Sequence, residues 1–525
     1  MGRSTLCWSV LVVLVMTLPW LNPLAPGPSP AVMPWLIALA AAASLLLLAS
    51  PRAPVGPAIG VASFAGRWAG PTAWAWLLAG VLSSAIGLLQ YFGAAAALDP
   101  WVNQAMLGEA FANLRQRNQF ASLTNMALAA LVWTAMGLKA DGRSRVRQAL
   151  LPLAAGLLAA GNSASASRTG LAQLALLCVL FWLWGAWRQA LVRRVLLAAL
   201  LAYGLATLAL PWLAGFELSQ HGIFARLRAG DGVCAGRITL WSNVLQLIAQ
   251  KPWLGWGWGE LDYAHYITLY QGPRFCEILD NAHNLPLQLA VELGVPAALL
   301  LCGGFVWWGL RQRPWREAKP SRQLAWAVLA VILLHSMLEY PLWYGPFQMA
   351  FALCMAMLWR QRSGEAGLTK AQKKPSINTA AQWIRAPAAI TLIACVGYAA
   401  WDYHRVSQIY LTPSARDAAY RDDTLAKIRV SWLFADQLRF AELMLTPLAP
   451  ASAEWTFATA TALLHYSPEP RVIEKVIESA VLLGRDDVAL LHLARYRAAF
   501  ADDHARWAKA NANAGPNASA RLPGS

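Results

Sequence analysis

Eleven apolar runs dominate the sequence, and each is long enough for a helix to cross a bilayer. A hydrocarbon core of about 30 Å needs roughly 20 apolar residues in helical form, and helices satisfy their own backbone hydrogen bonds there. The runs lie at 5–22, 32–49, 72–93, 119–138, 148–163, 170–187, 195–212, 285–310, 322–338, 344–360 and 387–403. The chain is 58% hydrophobic and only 13% charged, whereas soluble domains carry about 25% charged residues. We therefore predict an all-α, polytopic integral membrane protein with about eleven transmembrane helices.

The distribution of lysine and arginine predicts which loops face the cytoplasm, because cytoplasmic loops carry an excess of these residues. The clusters fall in alternate loops and include Arg52, Arg67, Lys139, Arg143, Arg188, Arg193, Arg311, Arg313, Arg360 and Lys370. The opposite side then holds 94–118, 164–169, 213–284, 339–343 and everything after about 404. The first run has no clear small-residue cleavage site, so we interpret it as a span rather than a signal peptide.

These assignments divide the chain into five segments. They are an N-terminal bundle of seven spans (1–212), a large periplasmic loop with short helices (213–284), a C-terminal bundle of four spans (285–403), a periplasmic helical domain (404–512) and a disordered tail (513–525). Apolar residues recur at helical spacing after 470, and Gly484 marks a break between two helices. Only one such helix pair is visible in the sequence, so the sequence does not decide whether this domain is a tetratricopeptide-like repeat.

The net charge of +16 does not indicate a nucleic-acid partner, because the basic residues lie mostly in short loops between spans. Motifs of the GKS/T, HExxH and paired CxxC kinds do not occur, so the sequence suggests no ATP site and no metal centre. Cys234 and Cys276 share the large loop, and an oxidising periplasm would allow them to pair or leave them apart.

Polar residues gather on the predicted periplasmic side, several of them at the edge of a span. They include Arg115, Arg117, Gln119, Arg168, Arg237, Glu260, Asp280, Asn281, His283, Asn284, Glu339 and Tyr340. Arginines at membrane depth with few acidic partners suit a bound anion such as a lipid pyrophosphate, since guanidinium groups match phosphate oxygens. His283 can accept a proton near neutral pH and so serve as a general base.

Each of these residues also has a plainer interpretation. Arg115 and Arg117 can snorkel to the interface, and His283 can serve as a helix-cap residue. Arg237 opens an amphipathic helix whose apolar face is expected to comprise Leu240, Val244, Leu245 and Ile248. His335 lies inside a span, where packing is the expected role. The GWGWGE segment lacks the lysine of a phosphate loop and is interpreted as a shaped loop with interfacial tryptophans.

Five segments carry a resemblance to a known superfamily. They are RNQFASLTNMALAAL (117–131), SRTG (167–170), GRITLWSNVLQLIAQKPWLGWGWGE (236–260), DNAHNLPLQLAVELG (280–294) and HSMLEYPLWYGPF (335–347). In these segments the chain resembles the bacterial O-antigen ligases and polymerases. Within that superfamily it is most similar to the PglL-type protein O-oligosaccharyltransferases.

The resemblance implies an inner-membrane glycosyltransferase with its active site facing the periplasm. The donor would be a glycan on undecaprenyl pyrophosphate, and the acceptor a Ser or Thr hydroxyl of a pilin or other exported protein. His283, Gln119 and Tyr340 would be catalytic, and Arg168, Arg237 and Arg117 would bind the pyrophosphate. Asp280, Asn281, Asn284 and Glu260 would support the site, and no metal or other cofactor is expected.

Four other functions were weighed against the sequence. An O-antigen ligase would use the lipid A core as acceptor, and a polymerase would use another glycan; the site residues do not separate these from protein glycosylation. The helical tail favours a protein acceptor. A transporter of lipid-linked glycans would show an inverted repeat and polar residues spread through the bilayer; neither is evident. A scaffold would not need buried arginines.

Overall fold

The computed structural model describes residues 3–22, 31–48, 64–138, 145–217, 221–229, 232, 234–359 and 379–514. The basic loops that contain Arg52, Lys139 and Arg360, and the last residues of the predicted disordered tail, lie outside these ranges. The described residues form helices and turns and contain no strand. The chain divides into two compact units, one comprising 1–229 and 309–400 and the other 230–308 and 401–525.

The first unit contains ten of the described helices, most of them apolar. They are α1 (Arg3–Leu21), α2 (Val32–Leu48), α3 (Phe64–Tyr91), α4 (Arg117–Gly137), α5 (Arg145–Ala164), α6 (Arg168–Leu183), α7 (Ala190–Leu213), α8 (Gly222–Ala229), α14 (Pro320–Ser336) and α15 (Gly345–Trp359). The first unit also includes most of α16 (Thr379–Ser407). Three described segments are long and apolar enough to cross a membrane, at 68–91, 117–137 and 190–213.

Helix α4 lies at the centre of the first unit. It packs against α3, α5, α6 and α14, and side chains on every side of it are buried. A helix that is enclosed all round can carry polar side chains only where neighbouring helices satisfy them. Its N-terminal turn therefore carries Gln119 within the bundle, whereas the Arg117 side chain stays 31% exposed.

The second unit begins with the helices of the large loop and of the predicted eighth span. They are α9 (Arg237–Gln250), α10 (Leu261–Ile267), α11 (Leu285–Leu293), α12 (Val295–Ala298), a π-helical turn (Leu299–Gly303) and α13 (Gly304–Gln312, divided between the units after Trp308). The predicted single helix over 285–310 is wrong. Gly294 ends α11 with φ +87°, and the Val295 N–H donates to the Pro252 carbonyl over 2.8 Å.

Helix α9 begins at Arg237 as predicted, with Leu240, Val244 and Ile248 buried in one core. Leu245 was also expected on this apolar face, and that assignment is wrong because its side chain is 55% exposed. It follows Val244 by one residue, which turns it about 100° away from the buried stripe. The same core includes residues of α10 and α11.

The C-terminal part of the second unit is helical, as predicted. Its helices are α17 (Thr424–Ile428), α18 (Ala435–Leu445), α19 (Ala453–Leu463), α20 (Pro470–Leu482), α21 (Asp486–Ala499) and α22 (Ala501–Ala514). The break at Gly484, with φ +68°, separates α20 from α21. Tyr266 of α10 is buried in their core and its hydroxyl lies 2.8 Å from His492 Nδ1, so the large loop and the tail share one hydrophobic core.

Candidate functional site

Asn118 joins three of the polar segments that the sequence singled out. Its side-chain N–H donates to Glu339 Oε1 over 3.0 Å, and its amide oxygen accepts from the Ser167 hydroxyl over 2.6 Å. Ser167 precedes Arg168, and Glu339 precedes Tyr340. One carboxamide thus holds the start of α4, the start of α6 and the end of α14 together, a role that sequence reasoning did not assign to it.

The α5–α6 turn is tightly constrained where it carries Arg168. The Ser167 hydroxyl caps α6 by accepting from the Gly170 N–H over 2.9 Å. A Cβ at Gly170 would collide with the Asn162 side chain and with Ala121 of α4, so only glycine allows this approach. Arg226 adds a second guanidinium at the turn, with Nη1 3.4 Å from the Ala166 carbonyl.

A buried polar layer lies one helical turn further along α4. Gln173 Nε2 donates to the Ser122 hydroxyl over 2.8 Å, and Ser122 Oγ lies 2.9 Å from His335 Nδ1. Asn125 also donates to Gln173 Oε1 over 3.2 Å. His335 is fully buried and sits edge-on to the Phe347 ring. Its packing role was expected, but the layer also ties α4 to α6 and α14.

Gln119 is held at the first turn of α4, where its backbone N–H donates to the Gln116 side chain over 3.1 Å. Its own side chain is 2% exposed, and among the residues described here its Nε2 has no hydrogen-bond partner. Arg117 forms an ion pair with Glu109, so the guanidinium expected to bind pyrophosphate already has an acidic partner. Tyr340 stacks on Tyr344, with ring centroids 6.1 Å apart.

In the second unit, His283 lies in a turn whose backbone is fixed from several sides. Its φ is +50°, and its N–H donates to Asn281 Oδ1 over 2.9 Å. The preceding Ala282 N–H donates to Gln288 Oε1 over 2.6 Å, and Asn284 caps α11 by accepting from the Leu287 N–H. A left-handed backbone at a non-glycine residue is uncommon and needs such support.

Helix α9, which Arg237 opens, is fastened to this turn. Trp241 Nε1 donates to the Ala282 carbonyl over 3.0 Å. Just before α9, Cys234 forms a disulfide with Cys276, and their Cα atoms lie 5.3 Å apart. The buried Asn243 adds two bonds, to the Pro273 carbonyl and from the Phe275 N–H. Arg237 and His283 are therefore on segments that are bonded to each other.

The GWGWGE segment is shaped by its contacts with the end of α11. Backbone N–H groups of Trp256 and Gly257 donate to the carbonyls of Val291 and Glu292 over 2.8 and 3.0 Å. Gly255 has φ +72°, and a Cβ there would collide with the backbone of Glu292. Gly255 is thus needed for close backbone approach, in agreement with the interpretation as a shaped loop.

Acidic residues follow this loop. Glu260 Oε2 lies 2.7 Å from His465 Nδ1, which connects it to the helical tail. Burial, together with the nearby charges of Asp280 and Glu260, raises the pKa of Asp262 to about 7. Burial lowers the pKa of His265 to about 3, with Arg274 adding to the effect. Within the described ranges, no group of three His, Cys, Asp or Glu side chains is placed to hold a metal ion.

Three family models match successive parts of the chain. They are described as "Protein glycosylation ligase" over residues 110–135, "O-Antigen ligase" over 153–302 and "Virulence factor membrane-bound polymerase, C-terminal" over 323–514. The first contains Asn118 and Gln119, and the second contains Arg168, Arg237 and His283. The chain is a PglL-type member of the O-antigen ligase superfamily.

Two curated relatives are similar to parts of this O-antigen ligase superfamily member, both from Acinetobacter baylyi (strain ATCC 33305 / BD413 / ADP1). A "General O-oligosaccharyltransferase" is 23% identical over 54% of this chain and 49% of its own length. A "ComP-specific O-oligosaccharyltransferase" is 24% identical over 46% and 42%. The chain thus spans about half the length of the curated relatives it matches. No solved structure matches it significantly.

The site residues predicted from the sequence are divided between the two units. The first unit contains Gln119, Arg117, Arg168 and Tyr340; the second contains Arg237, Glu260, Asp280, Asn281, His283 and Asn284, with the disulfide between Cys234 and Cys276. Asn118 and Glu339 are the connecting residues that sequence reasoning noted without a role. Their position, next to Gln119 and Tyr340 in sequence, was the available signal.

Proposed function

We propose that this protein transfers a preassembled glycan en bloc from undecaprenyl pyrophosphate to Ser or Thr hydroxyls of periplasmic proteins, such as a pilin. The observation that carries the proposal is the bridge at Asn118. It gathers three segments that the resemblance marks as functional, and the protein-glycosylation model matches its own segment. The names of both curated relatives also describe transfer of an oligosaccharide to oxygen.

The proposal includes the membrane topology. Each of the eleven predicted runs is helical over most of its described part, and three described segments have the length and composition of a span by themselves. We infer that all eleven cross the inner membrane, the eighth as the irregular helical stretch after Gly294. The large loop and the tail then lie in the periplasm, where the Cys234–Cys276 disulfide fits an oxidising compartment.

In the proposed reaction the acceptor oxygen attacks the anomeric carbon of the first sugar. The bond from that carbon to the pyrophosphate oxygen breaks, and the lipid pyrophosphate leaves with the bonding electrons. Arg168 and Arg237 stabilise the charge that grows on the leaving group. His283 takes the proton of the acceptor hydroxyl, and the hydrogen bonds of its turn fix the backbone that carries the imidazole. Gln119 and Tyr340 position sugar or acceptor by hydrogen bonding.

The base assignment is tested by His283→Asn, because asparagine tolerates the positive φ better than most residues and cannot accept the proton. Membranes containing this variant should lose at least 100-fold in transfer to an acceptor protein, in the range expected for a general base. His404→Asn is the matched control, since His404 is an exposed histidine paired with Asp417. Full activity in His283→Asn would remove the base assignment.

A polymerase is the second candidate, because the model that matches residues 323–514 is described as a polymerase. Deletion of the gene separates the functions. Loss of glycan from periplasmic proteins with an unchanged lipopolysaccharide ladder supports protein glycosylation. Collapse of the ladder to single repeat units, with glycoproteins unchanged, would instead establish a polymerase, and loss of the whole ladder an O-antigen ligase.

A further inference from the structure

A cavity of about 320 Å³ opens in the first unit, and Gln119 forms part of its wall. Four segments line it, namely the end of α1, the start of α2, the residues that lead into α4 and the start of α15. Its polar lining comprises Asn22, Asn113, Arg115, Gln116, Gln119 and Tyr344. Ligand sites are commonly concave, with a few polar groups and about 300–1,000 Å³ of space, so this cavity has the size of a small subsite.

Two carboxamides in the cavity wall are buried with atoms left unpaired. Gln119 is 2% exposed and Asn22 5% exposed; within the described part of the chain, Gln119 Nε2 and Asn22 Oδ1 make no hydrogen bond. Buried polar groups are paired in the large majority of cases, and exceptions call for an explanation. Both atoms are enclosed by protein, so each amide has to rotate before Gln119 can donate to, and Asn22 accept from, a hydroxyl group of a ligand in the cavity.

The backbone at Asn22 adds an independent sign of function. Its φ is +34°, and residues held in such sparsely populated conformations cluster at ligand sites. Asn113 shows the contrast: its amide is fully used, accepting from the Asn103 N–H over 3.0 Å and donating to the Trp101 carbonyl over 2.8 Å. It shapes the wall, whereas Asn22 and Gln119 each keep one side-chain atom without a hydrogen bond among the described residues.

The lining chemistry distinguishes between ligand classes. Four of its six polar residues are carboxamides, one is a tyrosine and one an arginine. A pyrophosphate would favour several cationic donors, and an acyl chain would leave the buried amides unsatisfied. A neutral ring rich in hydroxyl groups pairs with the amides and packs its C–H faces on the Tyr344 ring and on proline side chains.

We propose that this cavity binds one neutral sugar residue of the donor glycan, through Asn22, Gln116 and Gln119 with Tyr344 against the ring. The inference rests on the proposed function, because it assigns a sugar to the site where that function needs one. Tyr344 stacks on Tyr340, and Gln119 follows Asn118. The sugar subsite is therefore continuous with the residues that position the reacting groups.

The test is saturation-transfer difference NMR on the full-length protein in detergent, with glucose, galactose, N-acetylglucosamine and N-acetylgalactosamine as probes. Wild type should give a signal with at least one of these sugars. Asn22→Gly, which removes the amide and tolerates the positive φ, should weaken that signal at least fivefold. Gln119→Leu, which keeps most of the volume, should do the same. Gln323→Ala is the matched control, a buried carboxamide at the far end of α14.

The outcomes separate the subsite from the function. If the protein binds a sugar through Asn22 but does not transfer glycan to proteins, the subsite stands and the proposed function is wrong. Absence of a signal from every sugar, or an equal signal in wild type and Asn22→Gly, overturns the subsite whether or not transfer occurs. Asn22-dependent competition by inorganic pyrophosphate or undecaprenyl phosphate would also overturn it, by assigning the cavity to the lipid carrier.

Discussion

Replacing Asn118 by alanine removes the bridge on which the first unit's site is built. The side chain makes two hydrogen bonds, at 3.0 Å to Glu339 and at 2.6 Å to Ser167. A bond to a charged group contributes about 1.5–3 kcal/mol and a neutral one about 1 kcal/mol, so the variant should lose about 3 kcal/mol of stability. Because Ser167 is buried and Glu339 nearly so, water cannot easily replace the lost amide.

The same change should lower transfer activity by at least tenfold at a temperature where the variant is folded, since about 1.4 kcal/mol of lost transition-state stabilisation has that effect. The assay is initial-rate glycan transfer by purified protein, with thermal unfolding in the same detergent. Gln323→Ala, which removes one hydrogen bond to the Glu317 carbonyl, should cost about 1 kcal/mol without loss of rate. An Asn118→Ala protein that is destabilised but transfers at the wild-type rate would refute the reasoning.

Three further predictions concern the second unit. Gly294→Ala should lower the free energy of unfolding by more than about 1 kcal/mol, because φ is +87° and a Cβ would meet the Trp253 carbonyl. The control is Gly309→Ala, which has open space around it and should leave thermal unfolding unchanged. The cysteines of the Cys234–Cys276 disulfide are 42 residues apart, so reducing it should lower the free energy of unfolding by about 4 kcal/mol in denaturant titrations. An equal unfolding midpoint with and without reductant would contradict this. The pKa of Asp262 in the folded protein is about 7, above its ordinary value of 3.8, so its contribution to stability should fall as pH rises from about 4 to 7. Asp262→Asn should therefore raise the melting temperature more at pH 8 than at pH 4, and an equal rise at both pH values would count against the shifted pKa.

The sequence could predict those features that depend on local pattern. Hydropathy located the start of α4 and of α15 to within two residues, and the amphipathic spacing placed the start of α9 at Arg237. Gly484 marked the break between α20 and α21. Each of these signals lies within a single segment, where helical period, capping and glycine conformation act over a few residues.

Features that depend on contacts between distant segments were not predictable. Hydropathy does not report backbone dihedrals, so the break at Gly294 was missed; its cause is the approach of the 252–257 loop. The Asn118 bridge joins residues 49 and 221 positions away, and Tyr266 enters a core made by helices more than 150 residues later. Without those contacts, Asn118 was an unremarkable amide in a polar segment, and Asn22 was the last residue of an apolar run.

The most direct test of the central claim is a competition among acceptors for one donor. Purified full-length protein is given an undecaprenyl-pyrophosphate-linked glycan together with a pilin-type protein, lipid A core and excess donor, and each product is identified by intact mass. The protein acceptor should gain the mass of one whole glycan, and this gain should be absent with His283→Asn. Glycan appearing only on lipid A core, or only as a longer lipid-linked chain, would contradict it.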